Sequence, residues 1–430
     1  MTFVSITKNY GNLAITTMDH SALSDVGMRR ANNQDAYTVT LANSDEQWRT
    51  RGHLFVVADG MGAHAAGELA SKLAAETVSL LYRKYPSENA PTALCRAFED
   101  ANAKIYARGQ ANPDFSGMGT TCSALVLLPQ GAFCGHVGDS RIYRLRKNHL
   151  EQLTFDHSLV WEYRAAASQF VGQEKPGECK LPSNVITRSL GPHPEVKVDL
   201  EGPFETEFGD TFLLCSDGLS GLVSDEEIGQ IMGRFSSEVA TQFLVNLANL
   251  RGGHDNITVI VTKVGEAPLL PAKEATLDMS GGLALALGGM NLVGVIACSI
   301  WEKWGPAAIF FFCMILFSMW GYFILKQSPK DNGGENFDLG DPFGEGPHTR
   351  TVCQNGEDFA QVLEKVSKEF IEAAKAEKWD FQWSELDEIY GKAQKTHETG
   401  ELSVAIEHYV TLINKMVVQL HNQPNEQEQG

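Results

Sequence analysis

Two uncharged stretches limit what this chain can fold into. Residues 282–300 and 307–325 each run for 19 residues without a charged side chain, and a short Trp-Glu-Lys-Trp-Gly-Pro turn separates them. A helix needs about 20 apolar residues to cross a bilayer, and tryptophan favours the membrane–water interface. The stretches therefore predict a transmembrane helical hairpin over residues 282–326. A single span over 307–325 and a hairpin buried in a soluble core are the competing interpretations.

The hairpin divides the sequence into six parts. We expect a large folded domain over 1–265, a linker over 266–281, the hairpin, a flexible linker over 327–356, a helical module over 357–422 and a disordered tail over 423–430. A hairpin returns both of its flanks to one side of the membrane. Lys326, Lys330 and the lack of an N-terminal signal sequence indicate that this side is the cytoplasm. The prediction is a multi-pass protein of the cell membrane, anchored by two spans, with its large domain in the cytoplasm.

The large domain alternates strand-like and helix-like patterns. Three apolar strands follow one another over residues 120–128, 132–137 and 140–145, whereas residues 67–85 and 93–108 have helical spacing. Consecutive strands combined with paired helices favour packed antiparallel sheets flanked by helices over a doubly wound parallel sheet. The expected fold class is therefore α+β.

Aspartates beside glycines mark the ends of several predicted strands. Asp59 follows the strand over 53–58 and precedes Gly60, and Asp217 follows the strand over 211–215. Asp139 lies in a turn between two strands, and Asp255 stands just before the last strand of the domain. One Asp-Gly pair is usually only a turn, but four carboxylates at strand ends can converge on a hard divalent cation. The pattern predicts a metal site.

Two cations bridged by a carboxylate would activate a water molecule and neutralise an anionic substrate. An arginine is then needed to hold phosphate oxygens through its fork of donors, and Arg30 is the candidate. Nucleic acid is not an expected partner, because 35 basic and 54 acidic side chains give a net charge of -19. Binding to nucleic acid phosphates needs a basic surface.

Eight short motifs follow one another along the large domain. They are RANNQDAY, VVADGMGAHAAGELAS, GMGTTCSALVL, GHVGDSRIYRL, LTFDHS, NVITRSLG, LLCSDGLSGLVSDEEI and GGHDNITVIV. In this order they resemble the metal-dependent protein phosphatases of the protein phosphatase 2C type, most of all the bacterial serine/threonine branch. The resemblance covers about residues 15–264. It implies a four-layer αββα sandwich of two antiparallel sheets, and phosphorylated proteins as substrates.

The resemblance also implies a reaction and a metal centre. A water activated by two Mn2+ or Mg2+ ions would attack the phosphorus of phosphoserine or phosphothreonine directly. Asp59, Asp217 and Asp255 match metal-binding positions, with Asp59 between the two ions and the carbonyl of Gly60 as a further ligand. Asp139 matches the position at which bacterial members often hold a third ion.

Other residues receive roles in binding and catalysis from the same resemblance. Arg30 matches the phosphate-binding position, and Asp35 matches the residue that orients the attacking water. Asp156 and His157 stand at the start of the region that matches the family's mobile flap, residues 158–183, and are predicted to touch substrate.

Two positions depart from the family pattern. Gln34 stands where many relatives have a glutamate linked to a metal, and a neutral amide weakens that contribution. Met61 stands where animal relatives have a histidine proposed as general acid. Because methionine cannot donate a proton, the leaving group must be protonated from elsewhere.

The C-terminal module shows helical spacing and a weaker resemblance. Ala393, Gly400, Leu402, Ala405 and Tyr409 are spaced like part of a tetratricopeptide repeat. A small helical bundle without family identity explains the pattern equally well, since one repeat cannot bury its own core. Either interpretation predicts a protein partner at this module.

Two other functions compete with a general protein phosphatase. One is a catalytically weak or silent phosphatase-like domain that serves as a membrane signalling scaffold, against which the intact set of aspartates argues. The other is an anti-sigma-factor phosphatase with a single dedicated substrate.

Overall fold

Two antiparallel sheets form the centre of the fold. A computed structural model describes residues 18–62, 65–85, 88–168, 182, 185–265, 342–353, 356–421 and 423. The strands of the first sheet are β1 (Met18–Asp25), β7 (Arg141–Arg146), β8 (His149–Gln152), β10 (Thr211–Cys215), β11 (Ile257–Val264) and β12 (Thr349–Val352). Their spatial order is β1-β11-β10-β7-β8-β12.

The second sheet also has six strands. They are β2 (Asp35–Thr40), β3 (His53–Met61), β4 (Gly119–Thr120), β5 (Cys122–Leu128), β6 (Gly131–Val137) and β9 (Asp199–Phe204). The order is β2-β3-β5-β6-β9, and the short β4 pairs with the end of β3.

Helices cover the outer faces of both sheets. They are α1 (Asp45–Thr50), α2 (Ala65–Tyr82), α3 (Ala90–Ala111), α4 (Leu159–Ser168), α5 (Asp217–Ser220), α6 (Asp225–Arg234), α7 (Ser237–Leu250), α8 (Gly356–Ala376), α9 (Trp383–Glu398) and α10 (Leu402–His421). Local sequence explains where several begin. Ser224 and Glu227 form a reciprocal capping box at the start of α6, which satisfies backbone N–H groups that have no partner inside the helix.

Strand β3 shows how the layers are built. Phe55 and Val57 point into the core between the two sheets, whereas Leu54 and Val56 point into the core under α2 and α3. Side chains alternate across a strand, so a strand buried on both faces has an unbroken apolar sequence. The expected α+β sandwich of two antiparallel sheets between helical layers is confirmed.

The C-terminal part belongs to the same compact unit as the sandwich. Strand β12 lies within the predicted flexible linker 327–356, but it pairs antiparallel with β8 and extends the first sheet. The apolar faces of α8 and α10 join the core that also contains α6 and α7. A strand edge with free backbone groups and an amphipathic helix both need a partner surface, and sequence alone does not reveal that each finds one on the sandwich.

The membrane prediction requires a correction. The predicted hairpin, residues 282–326, and the linker 266–281 lie outside the described residues. None of the helices that the structure describes is both long enough and apolar enough to cross a bilayer. For example, α8 has 21 residues but carries charged side chains along one face, as a helix packed on a protein core does. The expectation of a multi-pass protein at the cell membrane is therefore contradicted.

Candidate metal and phosphate site

Five carboxylates lie together at one edge of the sandwich. Asp35 begins β2 and stands directly opposite Asp59 of β3 in the antiparallel register. Asp217 begins α5, Asp139 lies in the turn between β6 and β7, and Asp255 precedes β11. Burial raises the pKa of Asp59 well above its usual value, and the charges of the other four carboxylates raise it further. We call these five residues the acidic centre.

The pKa is raised at four of these carboxyl groups, those of Asp35, Asp59, Asp139 and Asp217. Burial raises the pKa of Asp35 to about 7, although two hydroxyl groups donate hydrogen bonds to this carboxylate. Burial, followed by the charge of Asp217, raises the pKa of Asp139 to about 7. Burial and the charge of Asp255 raise the pKa of Asp217 as well. Like charges brought together away from water favour the neutral acid, and a bound cation would reverse that preference.

Several oxygens of the acidic centre lack a hydrogen-bond donor. The Oδ1 atoms of Asp35, Asp139 and Asp217 are buried and have no hydrogen-bond partner within the described part of the chain. Unpaired buried oxygens are costly, and carboxylate and carbonyl oxygens are the ligands that Mg2+ and Mn2+ prefer. No group of three acidic, histidine or cysteine side chains among the described residues closes fully around one point. The acidic centre suits divalent cations because it has unpaired buried oxygens and offers only oxygen atoms as ligands.

Two threonines hold Asp59 in place. The backbone N–H of Asp59 donates to Thr121 Oγ1 at 2.9 Å, and its carbonyl accepts from Thr121 N at 2.9 Å and from Thr120 Oγ1 at 2.8 Å. Gly60 must be glycine, because a Cβ there would overlap the carbonyl oxygen of Gly67 in α2. The threonines lie within the motif GMGTTCSALVL, but the motif alone does not reveal that they hold Asp59.

Hydroxyl groups from two distant segments hold Asp35. Ser216 Oγ and Thr258 Oγ1 each donate to Asp35 Oδ2 at 2.7 Å. Ser216 immediately precedes Asp217, and Thr258 lies in β11. Neither residue was among the predicted site residues, although each belongs to one of the eight motifs.

Arg30 lies at the rim of the acidic centre. Its guanidinium donates to Asp255 Oδ2 at 2.7 Å, and its side chain is 48% exposed. Asn256, which sequence analysis also missed, holds the loop around Arg30. Its Nδ2 donates to the carbonyls of Val26 and Asn32 at 2.9 and 3.0 Å, and its Oδ1 accepts from Gln34 N at 2.8 Å.

The structure buries Asp156 and His157, which were predicted to touch substrate. Asp156 is 3% exposed and accepts two hydrogen bonds from Arg141 Nε and one from Arg141 Nη2 at 2.7–3.1 Å. His157 is 1% exposed; its Nδ1 accepts from Gly138 N at 3.0 Å, so Nε2 carries the proton and donates to Asp199 Oδ2 at 2.8 Å. These contacts indicate that the pair supports the turn that contains Asp139, and contact with substrate stays a prediction. Residues 169–181 and 183 of the predicted flap lie outside the described residues.

Comparison with known proteins gives consistent matches over the sandwich. The family described as "Protein phosphatase 2C" matches residues 28–250. Protein phosphatase PhpP of Streptococcus pneumoniae is 36% identical over 258 residues, which is 58% of this chain and 98% of PhpP. The solved serine/threonine phosphatase PstP/Ppp of Mycobacterium tuberculosis has 35% identity and a TM-score of 0.50, and the match covers 58% of this chain and 99% of that one.

A second solved structure agrees. Serine/threonine phosphatase Stp1 of Staphylococcus aureus has 30% identity and a TM-score of 0.51, and the match covers 61% of this chain and all of Stp1. The family match ends at residue 250. The predicted hairpin and the tetratricopeptide-like spacing therefore gain no support from it.

Proposed function

Because this chain belongs to the protein phosphatase 2C family, we propose that its acidic centre and Arg30 carry out the reaction of a metal-dependent protein serine/threonine phosphatase. The observation that carries the assignment of residues is the set of buried carboxylate oxygens without donors, with an exposed arginine beside them. A purely structural acidic cluster would need internal cations or protons to balance it.

The family uses Mn2+ or Mg2+. We propose that Asp59, Asp217, Asp255 and the Gly60 carbonyl hold two ions, and that Asp139 is a ligand of a third. When bound, such ions lower the pKa of water and neutralise negative charge on a phosphate group. The raised pKa of Asp59, Asp139 and Asp217 supports this assignment, since a cation is the partner that would keep them ionised at neutral pH.

The residues of the chain orient the reactants. Asp35 would accept a hydrogen bond from the attacking water, and Ser216 and Thr258 fix its carboxylate for that task. Arg30 would bind the phosphate, because its half-exposed guanidinium is accessible to a substrate arriving from solvent. Water adds to phosphorus while the bond to the serine or threonine oxygen breaks. The products are inorganic phosphate and the free hydroxyl, with no covalent intermediate on the enzyme.

The leaving oxygen must still gain a proton. Met61 ends β3 at the position of the histidine in animal relatives, and a thioether has no proton to give. We therefore propose that the proton comes from solvent or from the acidic centre.

Removal of one proposed metal ligand tests this assignment against the scaffold alternative. Asp217→Ala should abolish Mn2+-dependent phosphate release from p-nitrophenyl phosphate and from a phosphothreonine peptide. The matched control is Asp114→Ala, which removes an exposed carboxylate from the short turn after α3 and should leave turnover unchanged. Equal turnover in the Asp217 variant and the wild type would contradict the assignment.

The helices α8–α10 lie beyond the family match and stay a predicted protein-binding module. The support is their helical architecture, which commonly serves protein recognition. Capture of a defined partner by the full chain, and its loss when exposed positions on these helices are substituted, would test the prediction.

A further inference from the structure

Helix α7 is buried on all sides for nearly two turns. Residues 243–248 are all buried, although a helix that lies on a sheet normally leaves one face in water. The cause is α10, which lies against α7 and shares its apolar core. Within this contact Asn246 of α7, only 3% exposed, donates from Nδ2 to Asn414 Oδ1 of α10 at 2.8 Å.

The next turn of α7 reaches the active-site edge. Asn249 donates from Nδ2 to Asp25 Oδ1 at 3.0 Å, and the same oxygen accepts from Gly27 N at 2.8 Å. Gly27 has a φ of +78°, and a Cβ there would overlap the carbonyl oxygen of Asp255. The turn over residues 25–27 is therefore clamped between α7 and the segment that carries Asp255.

The loop that leads to Arg30 is attached to the residues that follow α7. Met28 N donates to the carbonyl of Gly253 at 2.8 Å, and Arg30 pairs with Asp255. Asp255 and Gly253 lie within five residues of the last residue of α7, Leu250. The position of this helix end thus influences where both Arg30 and Asp255 lie.

We propose that the C-terminal helices are a positioning element for phosphate binding. Asn414 fixes α7 through Asn246, and Asn249 conveys the position of α7 to the loop that carries Arg30. The inference rests on the proposed function, because it takes Arg30 as the residue that binds phosphate. The asparagines act through other residues and are positioning residues, not catalytic ones.

The first test separates binding from turnover in the full chain with Mn2+. Asn414→Ala removes the acceptor for Asn246 and should raise the KM for p-nitrophenyl phosphate about threefold to tenfold. This factor corresponds to the net free energy of one neutral hydrogen bond. The inhibition constant of inorganic phosphate should rise by the same factor, while kcat stays within about twofold. Asn414→Asp keeps an acceptor and should restore both constants.

A matched control lies one turn earlier on the same helix. Thr411→Ala removes an exposed hydroxyl from α10 and should leave KM, the phosphate inhibition constant and kcat as in the wild type. A lower melting temperature for Asn414→Ala with unchanged KM and inhibition constant would show a purely structural contact and overturn the inference.

The route through α7 is tested by combining variants. Asn246→Ala should match Asn414→Ala, and the double variant should show no further change, because both remove the same bond. Additive effects would overturn the route. If Asn414→Ala does not fold, Asn249→Ala tests the same link at the loop and should raise KM and the inhibition constant together. A wild type without Mn2+-dependent phosphate release would refute the proposed function, whereas an active wild type with unaffected variants would refute only this inference.

Discussion

Two groups of acidic residues in this protein differ in how their charge is balanced. In the arginine-paired acids, Asp210 contacts Arg146 at 2.7 Å, Glu151 contacts Arg144 at 2.6 Å and Glu227 contacts Arg251 at 2.6 Å. In the acidic centre, Asp255 pairs with Arg30, whereas Asp35, Asp139 and Asp217 each leave a buried oxygen without a donor in the described structure.

The pKa values follow this difference. Burial alone would raise the pKa of Glu227, but hydrogen bonds and charge from Arg251 outweigh burial and lower it. For Asp59 and Asp217, burial is reinforced by neighbouring negative charge, and the pKa rises. Pairing with arginine therefore separates Glu227 from Asp59 and Asp217, whose charge a bound cation would balance.

The largest expected effect concerns activity. Asp59→Asn should lower kcat for Mn2+-dependent phosphate release by about 1,000-fold or more, because it removes the charge proposed to bridge two cations. Asp210→Asn makes the same chemical change in an arginine-paired acid and should leave the kcat of the folded protein within about twofold. A comparable loss of kcat in both folded variants would break the comparison.

The next effect is a pH dependence in the metal-free protein. The folded protein holds protons on Asp35 and Asp139 up to about pH 7, whereas the unfolded chain releases them near pH 4. The free energy of unfolding should therefore fall as pH rises from about 4 to 7 and then level off. The total fall should be up to about 4 kcal/mol for each of the two groups.

Melting temperatures measured in a chelator between pH 5 and pH 8 check this sign. Added Mn2+ should raise the melting temperature more at pH 8 than at pH 5.5, since ionised carboxylates bind it. A melting temperature that rises with pH in the chelator would contradict the description of the acidic centre.

The smallest expected effect is the change in the free energy of unfolding when an arginine-paired acid is substituted. Asp210→Asn should lower the free energy of unfolding by about 2 kcal/mol, because it removes a buried partner of Arg146. The loss is smaller than for a fully buried pair, since Arg146 is 23% exposed and also contacts Glu207. In urea titrations of metal-free protein, Asp59→Asn should not show this loss. A destabilisation of Asp59→Asn equal to that of Asp210→Asn would mean that both acids are structural.

Much of the fold and part of the site could be predicted from sequence. The strand before Asp59 has an unbroken apolar pattern that ends at a carboxylate and a glycine. This pattern can be recognised because it depends only on residues that are neighbours in sequence. The family resemblance, carried by ordered motifs, correctly predicted the two-sheet sandwich and the protein phosphatase function.

The supports of the site could not be predicted in the same way. Ser216 and Thr258 are 181 and 223 residues away from Asp35 in sequence, and only the packing of the two sheets against each other brings them to its carboxylate. His157 belongs to a recognised motif, but its burial against Gly138 and Asp199 depends on three separate segments. Sequence alone does not reveal these contacts, and the expectation that it touches substrate stays a prediction.

The sequence by itself determined which strands are buried, where carboxylates end them and which family the sandwich resembles. These properties depend on residue type and short-range spacing. Tertiary structure decided which acids lie close together and which pair with an arginine, and that β12 and α8–α10 pack onto the sandwich. Charge balance and the partner of an apolar face depend on segments far apart in the chain, and folding alone brings those segments together.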